Sequence, residues 1–311
     1  MLLYTTASDI ISAAADSNSY SVTKQTNDFG YPIVKATSDS ALIALDYVKQ
    51  YSNITFKSYD DPARIVITSK WDEIDSATVS KSTQVRVKGG IKSPILKEVK
   101  KDDKITILDS GDKWDKIATE DGVIGYIKGK ALSESKKTKL TNPDYEEETF
   151  THIKKDKDIC LAWNQVTSQS ANSKVPQVIS STKGINVMSP TWFYLNDNNG
   201  NLADIASKDY VSYCHSQGIE VWGLFSNFEN TDVDAAYVLT HTSTRTTLIN
   251  QIMSAAFNYE LDGVNIDFEN ITEAAYGDSY IEFIRELAIK CHNNGISLSV
   301  DVTVPALSLI H

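Results

Sequence analysis

Leu261 to Asn270 reads LDGVNIDFEN, and its alternation sets the terms for the rest of the chain. Asn265, Asp267 and Glu269 alternate with Val264, Ile266 and Phe268. In an extended chain successive side chains point to opposite faces. One face of this segment therefore carries an amide and two carboxylates, and the other carries only apolar groups. Acids at the end of an otherwise buried strand are costly unless they are used. The segment predicts a strand that ends in a reaction centre.

Similar apolar strands recur on both sides of it. Candidates fall at Ile159–Val166, Ile185–Phe193, Ile219–Asn227, Leu261–Glu269 and Ile296–Val304, with starts 26 to 42 residues apart. That spacing suits successive βα units and hence parallel strands. Near-continuous apolar strands suit a sheet covered by helices. Between the strands, Leu248, Ile249, Ile252 and Ala256 share one helical face, as do Ile281, Ile284, Leu287, Ala288 and Cys291.

An open doubly wound sheet and a (β/α)8 TIM-type barrel both satisfy this pattern. Polar or aromatic groups at Asn164, Trp192, Ser226, Asn227, Glu269 and Thr303 fall toward the C-terminal strand ends, from which barrel enzymes build their sites. No Gly-rich phosphate loop follows the first strand, which weakens the dinucleotide-binding alternative. The expectation is an α/β fold, an incomplete (β/α)8 barrel of five βα units over residues 158–311. A full barrel takes ~250 residues, and Ser308-Leu309-Ile310-His311 follow closely on the fifth strand.

Upstream the composition changes twice. Residues 135–157 are polar and highly charged and read as a linker. Residues 80–134 hold short strand signals with turns at Gly89-Gly90, Ser110-Gly111 and Asp121-Gly122, which predict a small all-β barrel or meander. Its opening VRVKGG, the turn Gly111 to Trp114 and the closing Gly125 to Ile127 resemble a bacterial SH3-type domain. That resemblance implies a cell-wall peptide as a partner, and a rigid spacer is the alternative role. Residues 1–79 predict a small α+β module with a helix near Ala41 to Tyr51 and a strand pair within Ile54 to Ile67, and no chemistry.

A net charge of −11 argues against a general nucleic-acid surface and is compatible with a neutral polymer. Cys160, Cys214 and Cys291 have no metal-ligand spacing and read as small buried apolar residues. His215, His241 and His292 read as surface residues without a paired acid, and Arg245 as serving its own helix. Neither a metal nor a cofactor is expected. No apolar run approaches the ~20 residues of a membrane span. The start MLLYTTASDI has no basic region and only a short apolar stretch, so no signal peptide is read there.

Asp262 to Glu269 also resembles the signature of glycoside hydrolase family 18, the chitinase-like barrels. Asp262, Gly263, Asp267 and Glu269 match it, and Asn265 stands where an aspartate is usual. With Asn186–Phe193 and Val221–Asn227 the likeness is to the spore-cortex and cell-envelope branch. It implies a secreted or envelope enzyme that cleaves β-1,4-linked N-acetylglucosamine polymers, peptidoglycan or chitin, with retention. Asp267 and Glu269 have Cα atoms about 6.5 Å apart along one strand and face the same side of a sugar, so the pair cannot easily supply both the acid and a nucleophile that attacks from the opposite side. The family uses the substrate's own acetamido oxygen instead.

By that resemblance Glu269 is the general acid and base, and Asp267 orients the acetamide and raises the pKa of Glu269. Asn265 departs from the family pattern: its amide can donate a hydrogen bond to Asp267 and so fix it as the anion, or it is a simple neutral replacement. Asp262 and Gly263 shape the start of the strand. Trp163 and Trp192 are placed to stack on sugar, though either position also suits core packing, and Trp222 reads as core. The alternative function is a non-catalytic carbohydrate- or cell-wall-binding protein, and a barrel ending after five strands is expected to have little activity.

Overall fold

The computed structural model describes residues 1–269, 271 and 274–302. Thr303 and the rest of the fifth predicted strand past Val302 lie outside the described residues. The chain divides into two compact units. One comprises Met1–Leu2, Ala13–Tyr20 and Asp28–Glu147, and the other Leu3–Ser12, Ser21–Asn27 and Glu148–His311.

The N-terminal stretch holds a four-stranded sheet, β1 (Leu2–Thr5), β2 (Ile10–Ala13), β3 (Ser19–Val22) and β4 (Gln25–Asp28), in that order. It is followed by the pair β5 (Val34–Ala36) and β6 (Ala41–Ile43), helix α1 (Leu45–Tyr51) and the antiparallel hairpin β7 (Thr55–Asp60) and β8 (Ala63–Thr68). The elements are those of an α+β segment, but they do not form the self-contained module expected over 1–79, because their residues are shared between the two units.

The first unit is centred on a seven-stranded antiparallel sheet. Its strands are β9 (Glu73–Thr78), β10 (Thr83–Arg86), β11 (Ile95–Val99), β12 (Lys104–Asp109), β13 (Trp114–Thr119), β14 (Ile124–Lys128) and β15 (Lys136–Lys139). Their order is β11-β10-β14-β13-β12-β9-β15. Val79, Val85, Val99, Ile105, Ile117 and Ile127 form its core, each at 2% exposure or less. β9 and β15 flank the expected 80–134 span, so the sheet runs from 73 to 139 and the stretch read as linker opens with a strand. The turn at Asp121-Gly122 requires its glycine: φ is +81°, and a Cβ there would meet Val66 Cγ2.

The second unit carries five parallel strands, β16 (Leu161–Asn164), β17 (Val187–Leu195), β19 (Glu220–Ser226), β20 (Gly263–Asp267) and β21 (Ser297–Val300), hydrogen-bonded in chain order. The short β18 (Leu202–Asp204) pairs antiparallel with β17. The order has no reversal, whereas a doubly wound sheet reverses at its switch point. Five helices accompany the strands: α2 (Val175–Ser180), α3 (Lys208–Ser216), α4 (Ala235–Thr240), α5 (Thr242–Tyr259) and α6 (Ala274–His292).

Local chemistry sets the helix starts. Ser207 Oγ accepts from the Tyr210 N–H to cap α3, and Asp234 accepts from the Tyr237 N–H to cap α4. On α5, Leu248, Ile249, Ile252 and Ala256 are all buried, as their spacing predicts. On α6 the buried line is Phe283, Leu287 and Cys291, at i, i+4 spacing. Ile281, expected on that face, is half exposed.

Arg245 does not serve its own helix alone. Its Nε meets Glu286 Oε1 of α6 at 2.8 Å and an η nitrogen donates to the Leu239 carbonyl at 2.7 Å, with both charged side chains buried. Cys214 and Cys291 are buried, which pushes each thiol up to about 12, whereas Cys160 is exposed at the start of the sheet, against expectation. Among the described residues no helix is long and apolar enough to cross a membrane.

Candidate active site

β20 shows the two faces its sequence predicts. Val264, Ile266 and Phe268 are buried toward the helices, with Phe268 stacked on Phe283 at 5.5 Å. Burying side chains of this size contributes ~1.5–3 kcal/mol each and fixes the register of the strand. Parallel pairing sets Leu224 beside Asn265 and Ser226 beside Asp267 on the opposite face. Ser299 of β21 pairs with Asn265, and Trp163 of β16 pairs with Ser189 of β17.

Asn265 is the hub of that face. It is 1% exposed, and its Oδ1 accepts from Trp163 Nε1 at 3.0 Å and from Ser189 Oγ at 3.1 Å. The hydrogen bond expected from Asn265 to Asp267 is not made: Nδ2 has no partner among the described residues. Two neighbours on β21, Ser297 Oγ and Ser299 Oγ, are likewise buried without one. A buried donor or acceptor left unpaired costs ~1–3 kcal/mol, so stability alone does not explain this face.

Asp267 ends the strand half-exposed and Glu269 is exposed beyond it. The Asp267 carboxyl is pushed up to about 6, first by desolvation and then by the negative charges of Asp301, Glu269 and Glu229. Asp267 therefore gains its charge as pH rises through about 6.

Asp301 follows β21, and its N–H donates to the Ile266 carbonyl at 2.8 Å. Glu229 is held by Ser226 Oγ, which lies 2.7 and 2.6 Å from its two carboxylate oxygens. The sequence reading missed both acids. Asp301 was detectable by the same alternation as Asp267, because Ser297, Ser299 and Asp301 occupy every second position of the fifth strand. Glu229 sits in a loop and has no such signal.

Glu269 is gripped through its backbone. Asn227 Oδ1 accepts from the Glu269 N–H at 2.8 Å, and Asn227 Nδ2 donates to the Glu269 carbonyl at 3.0 Å.

At the other end of the strand, Asp262 Oδ2 accepts from the Val221 N–H and lies 2.8 Å from His215 Nε2. His215 therefore has a paired acid, which its position outside the motifs concealed. A Cβ on Gly263 would come within 2.5 Å of the Trp222 ring, so only glycine fits there. Trp222 is buried, as read.

The two candidate sugar platforms separate. Trp163 is 62% exposed while its ring nitrogen is anchored to Asn265. Trp192 is fully buried, packs edge-on to Tyr210 at 4.9 Å and donates to Asn172 Oδ1 at 2.8 Å. With no open face it is a core residue, which corrects its assignment to the sugar site. Among the described residues no cluster of three His, Cys, Asp or Glu is arranged to hold a metal ion.

No family model and no curated protein matches the sequence. Among solved structures, the chain is similar to the C-terminal domain of a putative chitinase from Desulfitobacterium hafniense, at 19% identity and TM-score 0.40 over 46% of this chain and 45% of that one. It is also similar to the spore cortex-lytic enzyme SleL from Bacillus cereus, at 17% identity and TM-score 0.40 over 53% of this chain and 39% of that one. A third is the putative sporulation-specific glycosylase ydhD from Bacillus subtilis, at 21% identity and TM-score 0.33 over 36% and 38%. The chain spans less than half the length of each of these structures. At such identities and TM-scores the likeness carries no activity with it.

Proposed function

We propose that this chain carries the acid pair of a glycoside hydrolase that cleaves polymers of N-acetylglucosamine, peptidoglycan first and chitin second, with retention. The observation that supports this most is a strand whose apolar face is packed under helices while its other face ends in Asp267 and Glu269. An exposed carboxyl beside one pushed up to about 6 is the kind of acid pairing that proton transfer at a glycosidic oxygen needs.

In this reading Glu269 protonates the glycosidic oxygen and then activates water. The sugar's own acetamido oxygen attacks the anomeric carbon, so no protein nucleophile is needed on the opposite side. Asp267, ionised above about pH 6, orients the acetamide N–H and stabilises the positive ring that forms. Trp163 offers an exposed ring to the apolar face of a sugar. The five-stranded arc is then part of a (β/α)8 barrel, and the protein works outside the cell or in its envelope. The seven-stranded sheet is an SH3-type module for cell-wall peptide.

The test uses the protein expressed from its natural gene on chitin oligosaccharides and purified peptidoglycan. Turnover is expected only where the 2-acetamido group is intact. Rapid cleavage of the N-deacetylated oligosaccharide defeats the mechanism. Sugar binding without turnover is the second reading, and the anchored, exposed Trp163 favours it. Saturable oligosaccharide binding by a protein that releases no reducing ends would establish it.

A further inference from the structure

We infer that Asn227 is a positioning residue for Glu269, an inference that rests on the glycosidase reading above. β19 and β20 stay in parallel register as far as the pair Ser226 and Asp267, where both strands end. One residue later the side-chain amide of Asn227 takes over from the backbone, accepting from the Glu269 N–H and donating to its carbonyl. A primary amide presents the same donor and acceptor as a peptide group. Asn227 thus extends the ladder by one rung, made by a side chain, at the residue that carries the candidate acid.

An exposed glutamate has many rotamers, and where its carboxyl starts from depends on how its backbone is held. Holding the N–H and the C=O of the same residue fixes the backbone on both sides of its Cα, and hence the direction of the Cα–Cβ bond. The clamp has a firm base. Ser226, the preceding residue, is buried and bonded to Glu229, and Asn230 Nδ2 donates to the Asn196 carbonyl at 2.8 Å. Serine or threonine at 227 is too short to make both bonds, and an ionised aspartate accepts but cannot donate.

The experiment compares wild type, Asn227→Ala and Asn227→Asp, expressed from the natural gene, on a fluorogenic N-acetylglucosamine oligosaccharide. Asn227→Ala is expected to lower kcat by up to about 100-fold, the order of loss for a catalytic group displaced by about 1 Å. KM should hold within about twofold, since a displaced acid affects the transition state more than binding. Asn227→Asp is expected to behave like Ala at pH 7 and to recover relative to wild type as pH approaches about 4, where a protonated aspartate can again donate to the carbonyl.

An unchanged kcat, a loss carried mainly by KM, or a pH-independent ratio of the aspartate variant to wild type overturns the inference. Amide hydrogen exchange at Glu269 reads the clamp without reference to turnover. Faster exchange in Asn227→Ala is expected, and equal rates overturn it. If wild type turns nothing over while that difference in exchange is present, the glycosidase reading falls and the clamp remains.

Discussion

The two main sheets differ in how many polar side chains they bury beside their apolar cores. The seven-stranded sheet closes over Val79, Val85, Val99, Ile105, Ile117 and Ile127, all β-branched and none above 2% exposed. The parallel sheet buries Ser189, Ser226, Asn265 and Ser297 on or beside one face, and three of the buried polar groups on β20 and β21 lack a partner among the described residues. Apolar groups at those positions would be the more stable choice. Within an otherwise apolar core, the parallel sheet thus departs locally from ordinary packing. The departure is centred on the segment that ends in Asp267 and Glu269.

The largest expected effect tests whether the chemistry belongs to the parallel sheet at all. Glu269→Gln keeps the shape and removes the proton, so turnover of oligosaccharide should fall about 10²- to 10⁴-fold, the worth of a general acid, with binding by calorimetry preserved. Turnover that survives would move the activity away from this strand and void the contrast between the sheets.

Next come the stability effects, which separate structural residues from site residues. Trp192→Ala should cost ~3–5 kcal/mol and Ile117→Ala ~2–5 kcal/mol, both read by urea denaturation. Trp163→Ala, at 62% exposure, should cost well under ~1 kcal/mol of stability while weakening oligosaccharide binding about tenfold. A Trp163 variant that unfolds as readily as the Trp192 variant would make both tryptophans core, and the site would lose its proposed platform.

These contrasts show how far the sequence could be read. The five parallel strands and the opposite faces of β20 follow from alternation and spacing, which act within a few residues. The buried fate of Trp192 does not, because Asn172, its partner, lies twenty residues back in the 3-10 helix Gln169–Lys174 and nothing local marks the pair. His215 and Asp262 are 47 positions apart, and Arg245 and Glu286 41; only the packing of helices and strands brings them together. The Asn227 clamp is legible only in part. A polar residue at the end of β19 was visible, but that its amide would serve the main chain of the neighbouring strand was not. The desolvation that pushes Asp267 up to about 6 was not legible either, because it depends on how deeply the end of the strand is packed.

A smaller effect concerns that carboxyl. Folding raises Asp267 from 3.8 to about 6, so between these values the native state holds a proton that the unfolded chain has released. Its contribution to stability is complete below about pH 4, is lost as pH rises through about 6, and stays absent above. Asp267→Asn should therefore be the more stable protein at pH 7, by about 1 kcal/mol once solvent screening of a half-exposed group is allowed for, and equal to wild type near pH 4. A difference that is the same at both pH values would show that the carboxyl is not raised. The same titration predicts that wild-type turnover declines as pH falls below about 6, where Asp267 loses the charge the proposed mechanism needs.

The smallest expected effect bears on the polar face itself. Asn265→Asp keeps an oxygen to accept from Trp163 and Ser189 and replaces the unpaired Nδ2 with a second acceptor. The fold should be unaffected, with thermal unfolding within a few degrees of wild type. What changes is charge: a second acid two positions from Asp267, on the same face, disfavours ionisation of the pair. The acid limb of kcat/KM should move upward by about one pH unit. An unchanged limb would mean that Asn265 acts only through the two hydrogen bonds it accepts, and that this polar face is scaffolding for Trp163 and not part of the titrating site.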